Sequence, residues 1–184
     1  MDDLIVTDLD HQQQVATARP SRRVAVLILV SPALFLLHEV EEYFTMLPWI
    51  SSHGGFLPEF VRARVPDHPS FILQVGVFLF AAFLFVAMAC ARSRAPGWPF
   101  MVYAMLVLAR LENAIGHIAM AVIFGGYAFG VITSALVLCP LSIVLLRRMV
   151  LEQLVRSASL LSLAWWGLWI QVFVLAGVFV LYYP

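Results

Sequence analysis

Residues 24–42 read VAVLILVSPALFLLHEVEE. The run from Val24 to Leu37 carries no charge, and it then meets His38, Glu39, Glu41 and Glu42. An uncharged run of this length is the material of a membrane helix. Ionisable groups inside such a helix cost roughly 2.5–3.5 kcal/mol each at the bilayer centre on insertion scales, so they need a reason to be there. The stretch therefore sets the fold class and marks the first place to look for function.

Composition agrees. The 184-residue chain is 62% hydrophobic with a mean hydropathy of +0.94, well above the apolar share of soluble domains. We expect an all-α integral membrane bundle of five transmembrane helices, with spans at about 24–49, 71–91, 98–124, 127–146 and 159–181. Formal charge is zero, so no global field points to nucleic acid or an acidic partner. All 11 basic residues are arginine, which excludes a Schiff-base lysine. Cys90 and Cys139 sit in apolar runs without a CxxC pair, so no disulfide framework or cysteine zinc site is expected.

Residues 1–22, with four aspartates and a Gln run, read as a disordered cytoplasmic tail. Residues 23–184 read as a single transmembrane domain. Ser21-Arg22-Arg23 is not followed by a small-residue cleavage site, so the first helix is expected to be retained. Eight arginines (19, 22, 23, 92, 94, 147, 148 and 156) fall on one side of a five-span chain, against Arg62 and Arg64 on the other. The positive-inside rule then gives a multi-pass cell-membrane protein with a cytoplasmic N-terminus and an outside C-terminus. Trp49, Trp98, Trp165, Trp166, Tyr182 and Tyr183 fall near span ends, as an aromatic belt would. The 51–70 loop reads either as a lid with a short amphipathic piece or as a solvated connector. Gly125-Gly126 reads as a tight turn that makes spans three and four a hairpin.

Span three holds a second polar string, Arg110, Glu112, Asn113 and His117. Arg110, Asn113 and His117 share a helix face, and Glu112 points elsewhere. In span one His38, Glu41, Glu42 and Thr45 share a face, with Glu39 at its edge. His38 lies 15 residues past Arg23 and Asn113 lies 15 past Trp98. At 1.5 Å per residue both strings sit roughly 22 Å across the bilayer, in its outer half. The matching depth is what two halves of one site require. Arg110 supplies a counter-charge for a span-one carboxylate. Pro32 frees a backbone carbonyl one turn earlier, and a kink there would re-aim the string.

These strings resemble the signature of the HXXEE family of bacterial multi-span membrane proteins. His38-x-x-Glu41-Glu42 matches its defining string, and Asn113-x-x-x-His117 matches the family's later-span histidine. Tyr127-Ala128-Phe129-Gly130 matches its Tyr-x-Pro-Gly string, with Phe129 in place of proline. The resemblance covers roughly residues 30–150. It implies an intramembrane polar site and supplies no substrate.

Three readings follow from the residues. The first is a membrane-embedded enzyme acting on a lipid-like or isoprenoid substrate. In one version His38, Glu41, Glu42 and His117 hold a divalent metal such as zinc; in the other they are general acid and base. Glu39, Arg110, Asn113 and Tyr127 would bind substrate or orient the first group. The second is a proton- or ion-coupled transporter, which with five spans and no internal repeat calls for a homodimer. The third is a polar cluster that only holds the bundle together. Membrane lipid is the expected partner in each case. The histidine boxes of a membrane di-iron oxygenase are absent, since the chain has five histidines and His11 lies in the tail. His53 and His68 read as solvated loop residues.

Overall fold

The computed structural model describes residues 19–56, 59 and 70–182. Among these residues there is no strand. Five helices are long and apolar enough to cross a bilayer, the architecture of a multi-pass membrane protein. They are α1 (Arg22–His53), α2 (Ser70–Arg92), α3 (Trp98–Ile123), α4 (Val131–Leu151) and α5 (Leu160–Tyr182). Residues 1–18, most of the 51–70 loop with Arg62, Arg64 and His68, and Tyr183 lie outside the described residues.

α3 is the centre of the bundle, packing against α2, α4 and α5, while α1 packs on α2 and α4. The apolar core fills the end of the bundle that holds the α1 N-terminus. Val24, Ile28 and Phe35 of α1 meet Phe83 and Ala87 of α2, Tyr103 and Val107 of α3, and Leu145 and Met149 of α4. Large side chains such as Phe78, Phe85, Val122, Leu136 and Leu161 face outward, as a lipid-bathed surface requires. Ser21 caps α1 by accepting from the Val24 amide at 3.3 Å. Its own amide and hydroxyl donate to Glu152 at 2.8 and 2.7 Å, which ties the start of α1 to the end of α4.

Pro32 sits inside α1, so the Ile28 carbonyl loses its usual helical donor. The Tyr103 hydroxyl of α3 donates to that carbonyl at 3.1 Å, and Ser31 Oγ bonds both to it and to the Tyr103 oxygen. The proline thus creates an acceptor that a neighbouring helix satisfies, which fixes α1 against α3 below the polar string. Tyr103→Phe leaves this buried acceptor with Ser31 alone. The expected loss is the net worth of one hydrogen bond, about 0.5–1.5 kcal/mol, seen as a lower Tm in detergent. An unchanged Tm would mean that Ser31 alone satisfies the carbonyl.

Two elements differ from the sequence expectation. α4 begins at Val131 instead of near 127, because Gly130 takes a left-handed conformation (φ 70°) and holds Tyr127 to Phe129 in the connecting turn. Inside α4 the stretch Ser134–Leu138 is a π-turn. Pro140 has no N–H for Leu136 and its ring crowds that carbonyl, and the wider turn absorbs the mismatch. Trp49 is not a lipid-facing belt residue. It is buried, donates its Nε1–H to the Tyr127 carbonyl at 2.9 Å and stacks on His53, with Phe124 and Phe129 edge-on. His53 is therefore the last residue of α1 and part of this aromatic cap, not a free loop histidine.

Candidate intramembrane histidine and glutamate centre

The two polar strings meet. His38 and Glu42 stand one turn apart on α1, and Asn113 and His117 one turn apart on α3. His117 Nε2 lies 2.7 Å and His38 Nε2 3.3 Å from Glu42 Oε1. The Asn113 amide lies 3.1 Å from both Nε2 atoms. His38 and His117 are buried, their rings edge-to-face with centroids 5.0 Å apart. Phe129 packs edge-on against His117 at 5.0 Å and closes one side.

Glu41 does something else. Its carboxylate accepts from the Ile132 and Thr133 amides at 3.1 and 2.7 Å, from the Thr133 hydroxyl, and from the Tyr127 hydroxyl at 2.8 Å. It therefore caps the N-terminus of α4, where the helix dipole favours an anion. Glu41, expected beside Glu42 as a ligand or catalytic carboxylate, is not in the cluster of donors, which among the described residues is His38, Glu42 and His117. The Tyr127 hydroxyl, expected to face substrate or the interface, is spent on Glu41. Burial and that carboxylate push the Tyr127 phenol above its ordinary range, so it stays a donor.

Thr133 links the two arrangements. Its single hydroxyl hydrogen goes to Glu41, so at His38 Nδ1, 2.8 Å away, its oxygen must accept. His38 is therefore protonated on Nδ1, and it is its Nε2 that faces Glu42 Oε1 at 3.3 Å. His38 Nε2, His117 Nε2 and the Asn113 amide all converge on the same side of Glu42. His117 Nδ1 is buried and has no hydrogen-bond partner among the described residues.

Gly130 belongs to the centre as backbone. A Cβ there would lie 2.8 Å from His38 Cε1 and 3.2 Å from Glu42 Cγ. Glycine is thus required twice, by its positive φ and by this approach. Gly130→Ala is expected to lower stability by at least about 1 kcal/mol from backbone strain alone and to push His38 from Glu42. A Tm equal to wild type would contradict both points.

Arg110 and Glu39 sit deeper. Arg110 lies 3.7 Å from Glu39 Oε1 and 3.7 Å above the Phe35 ring, so it is a counter-ion held by a carboxylate and an aromatic face. Gly76 of α2 lets Glu39 into the helix contact, since a Cβ there would be 3.0 Å from the Glu39 side chain. Glu112 does not join the His117 cluster; it accepts from Gln171 of α5 at 3.0 Å and lines the cavity beside the centre.

Beside the centre lies a cavity of about 580 Å³, within the usual size of small-molecule sites. Glu39, Glu42, Arg110, Glu112, Asn113 and His117 give it its polar wall, while Ile72, Val75, Leu79, Met120 and Val172 are among its apolar walls.

The family described as "Protein of unknown function with HXXEE motif" matches residues 29–145. The chain belongs to the HXXEE family. No curated protein and no solved structure matches it. The HXXEE string is thus divided between two tasks in this structure. His38 and Glu42 enter the buried centre, and Glu41 holds α4 beside it. Thr133 and Gly116 were missed in the sequence. The threonine has no signal beyond following Gly130 by one turn, whereas a mid-span glycine beside His117 was a visible one.

Proposed function

We propose that this HXXEE protein is a membrane-embedded enzyme whose His38, Glu42 and His117 hold one divalent metal, zinc by the chemistry of the donors, beside an amphipathic substrate cavity. The carrying observation is the convergence of three ligand atoms: His38, held through Nδ1 by Thr133, turns Nε2 toward Glu42 Oε1 and His117 Nε2, and one donor atom from each residue lies within 4.8 Å of the others. Ligands at about 2.1 Å in a tetrahedron are about 3.4 Å apart; the His38–Glu42 separation of 3.3 Å fits that spacing, and the His117–Glu42 contact of 2.7 Å has to open for an ion to enter. Two histidines and a carboxylate are the donor set of an open catalytic zinc site. The Asn113 amide, turned to offer Oδ1, is in reach of the fourth position. Such an ion supplies a Lewis acid for a carbonyl or a water. Glu41 and Thr133 act as the outer partners that orient His38.

In this reading the N-terminus is cytoplasmic, the centre lies in the outer half of the bilayer, and the substrate is lipid-like. Coupled transport fits less well. It needs access from both sides, whereas the bundle below Arg110 is filled by Phe35, Phe83, Tyr103 and Val107. A merely structural cluster does not account for the cavity that opens beside it.

Protein purified in mild detergent and equilibrated with micromolar zinc should hold one ion per chain after desalting. No bound metal with intact fold would favour the acid–base version of the site. Proton flux in proteoliposomes that vanishes in Glu42→Gln would favour transport instead.

A further inference from the structure

Gly116 stands in the middle of α3, between Asn113 and Met120, and lines the cavity. Nothing lies within 4 Å of the position its Cβ would take. A mid-helix glycine gives up roughly 0.5–1 kcal/mol relative to alanine, and here no protein neighbour uses the space. Gly76 and Gly167, by contrast, are filled by Glu39 and by the α3 backbone, and Gly177 of α5 is as open as Gly116 but does not line the cavity. Gly116 is exposed, so its missing side chain leaves an open groove along α3 on the cavity side.

The walls say what fits there. α2 packs on α1 and α3, and α5 packs on α3, so α2 and α5 form opposite sides of the cavity. Ile72, Val75 and Leu79 line one side, and Leu168 and Val172 the other, the last two each 45% exposed at its rim. From Arg110 to Met120 the cavity follows α3 for roughly 15 Å, a length suited to one extended chain. The polar wall has formal charges from Glu39, Glu42 and Glu112 against Arg110, which Glu39 already pairs. A divalent ion at His38, Glu42 and His117 brings this sum to zero. A neutral headgroup keeps that balance. A phosphate or carboxylate adds an anion with no free cation to meet it among the described residues of the cavity wall, which is costly in a low-dielectric site.

We infer that the cavity binds a single-chain amphiphile with an uncharged, hydrogen-bonding headgroup, which enters from the bilayer between α2 and α5, lays its chain across Gly116 and sets its head at Asn113 and His117. This rests on the reading that the His38–Glu42–His117 centre is a working site, and it names the substrate class of that site.

The test is binding of tritiated oleyl alcohol to the full-length chain in detergent, with oleic acid and dioleoylphosphatidylcholine as competitors. Zinc content is measured on the same samples. Oleyl alcohol should bind saturably, and oleic acid and the two-chain lipid should compete at least tenfold less well. Gly116→Leu fills the groove and should weaken alcohol binding at least tenfold while zinc content stays at the wild-type level. Gly116→Ala should keep the fold and weaken binding less, so the proposal does not depend on the larger variant folding. Phe78→Trp, on the outward face of α2, should leave binding unchanged. Equal competition by the phospholipid would make the groove a general lipid surface and overturn the inference. Preference for oleic acid would overturn the headgroup assignment. Zinc binding without alcohol binding would sink this inference alone. Alcohol binding without zinc would sink the metal reading and leave the substrate class standing.

Discussion

His117→Ala and His38→Ala are each expected to remove stoichiometric zinc from the purified protein. Outer partners of a metal ligand are typically worth 10–100-fold in affinity, and loss of a ligand should exceed that. Both rings are buried and point Nε2 at Glu42, so neither has a substitute among the described residues. The fold should survive His117→Ala better than His38→Ala. His117 Nδ1 makes no hydrogen bond, while His38 also holds Thr133. Metal content is read by elemental analysis and fold by Tm. Unchanged zinc content in either variant would clear that histidine of a ligand role.

The second large effect is at Glu41, which does not face the centre. Glu41→Ala removes the carboxylate that accepts from Ile132, Thr133 and Tyr127 together. Each charge-assisted hydrogen bond is worth about 1.5–3 kcal/mol, so α4 should loosen at its start and Tm should fall clearly. Zinc affinity should fall with it, by roughly 10–100-fold, because Thr133 is then free to turn its hydrogen toward His38 Nδ1. Thr133→Val separates the two causes. It keeps the backbone amide on Glu41 and removes only the hydroxyl between Glu41 and His38. Its zinc affinity should fall while Tm drops less than in Glu41→Ala, since the backbone amides and Tyr127 still hold the carboxylate, and Thr133→Ser should restore both. If Thr133→Val and wild type bind zinc equally, the hydroxyl does not set the His38 tautomer.

Much of this was legible in the sequence for physical reasons. The five long apolar runs allow no alternative to membrane helices, and equal offsets from Arg23 and Trp98 put His38 and Asn113 at one depth. Spacing also predicted which side of α3 carries Arg110, Asn113 and His117. What spacing could not give was the division within His38-x-x-Glu41-Glu42. Glu41 and Glu42 are neighbours on one helix face, and only the approach of α4 decides which carboxylate is used as a cap. That approach depends on the positive φ of Gly130 and on the π-turn before Pro140, tertiary facts with weak local signals. Trp49 misled for the opposite reason. Its place near a span end fits the aromatic belt, but the Tyr127 turn folds back over it.

The central claim is that two imidazoles and one carboxylate bind a single ion. X-ray absorption at the zinc edge of the loaded, wild-type protein in detergent tests it most directly. The account predicts a first shell with two imidazole nitrogens, recognised by their outer-ring scattering, and oxygen donors at about 2.0–2.1 Å, with one imidazole signal lost in His117→Ala. A shell without histidine scattering, or one that His117→Ala leaves unchanged, would contradict it.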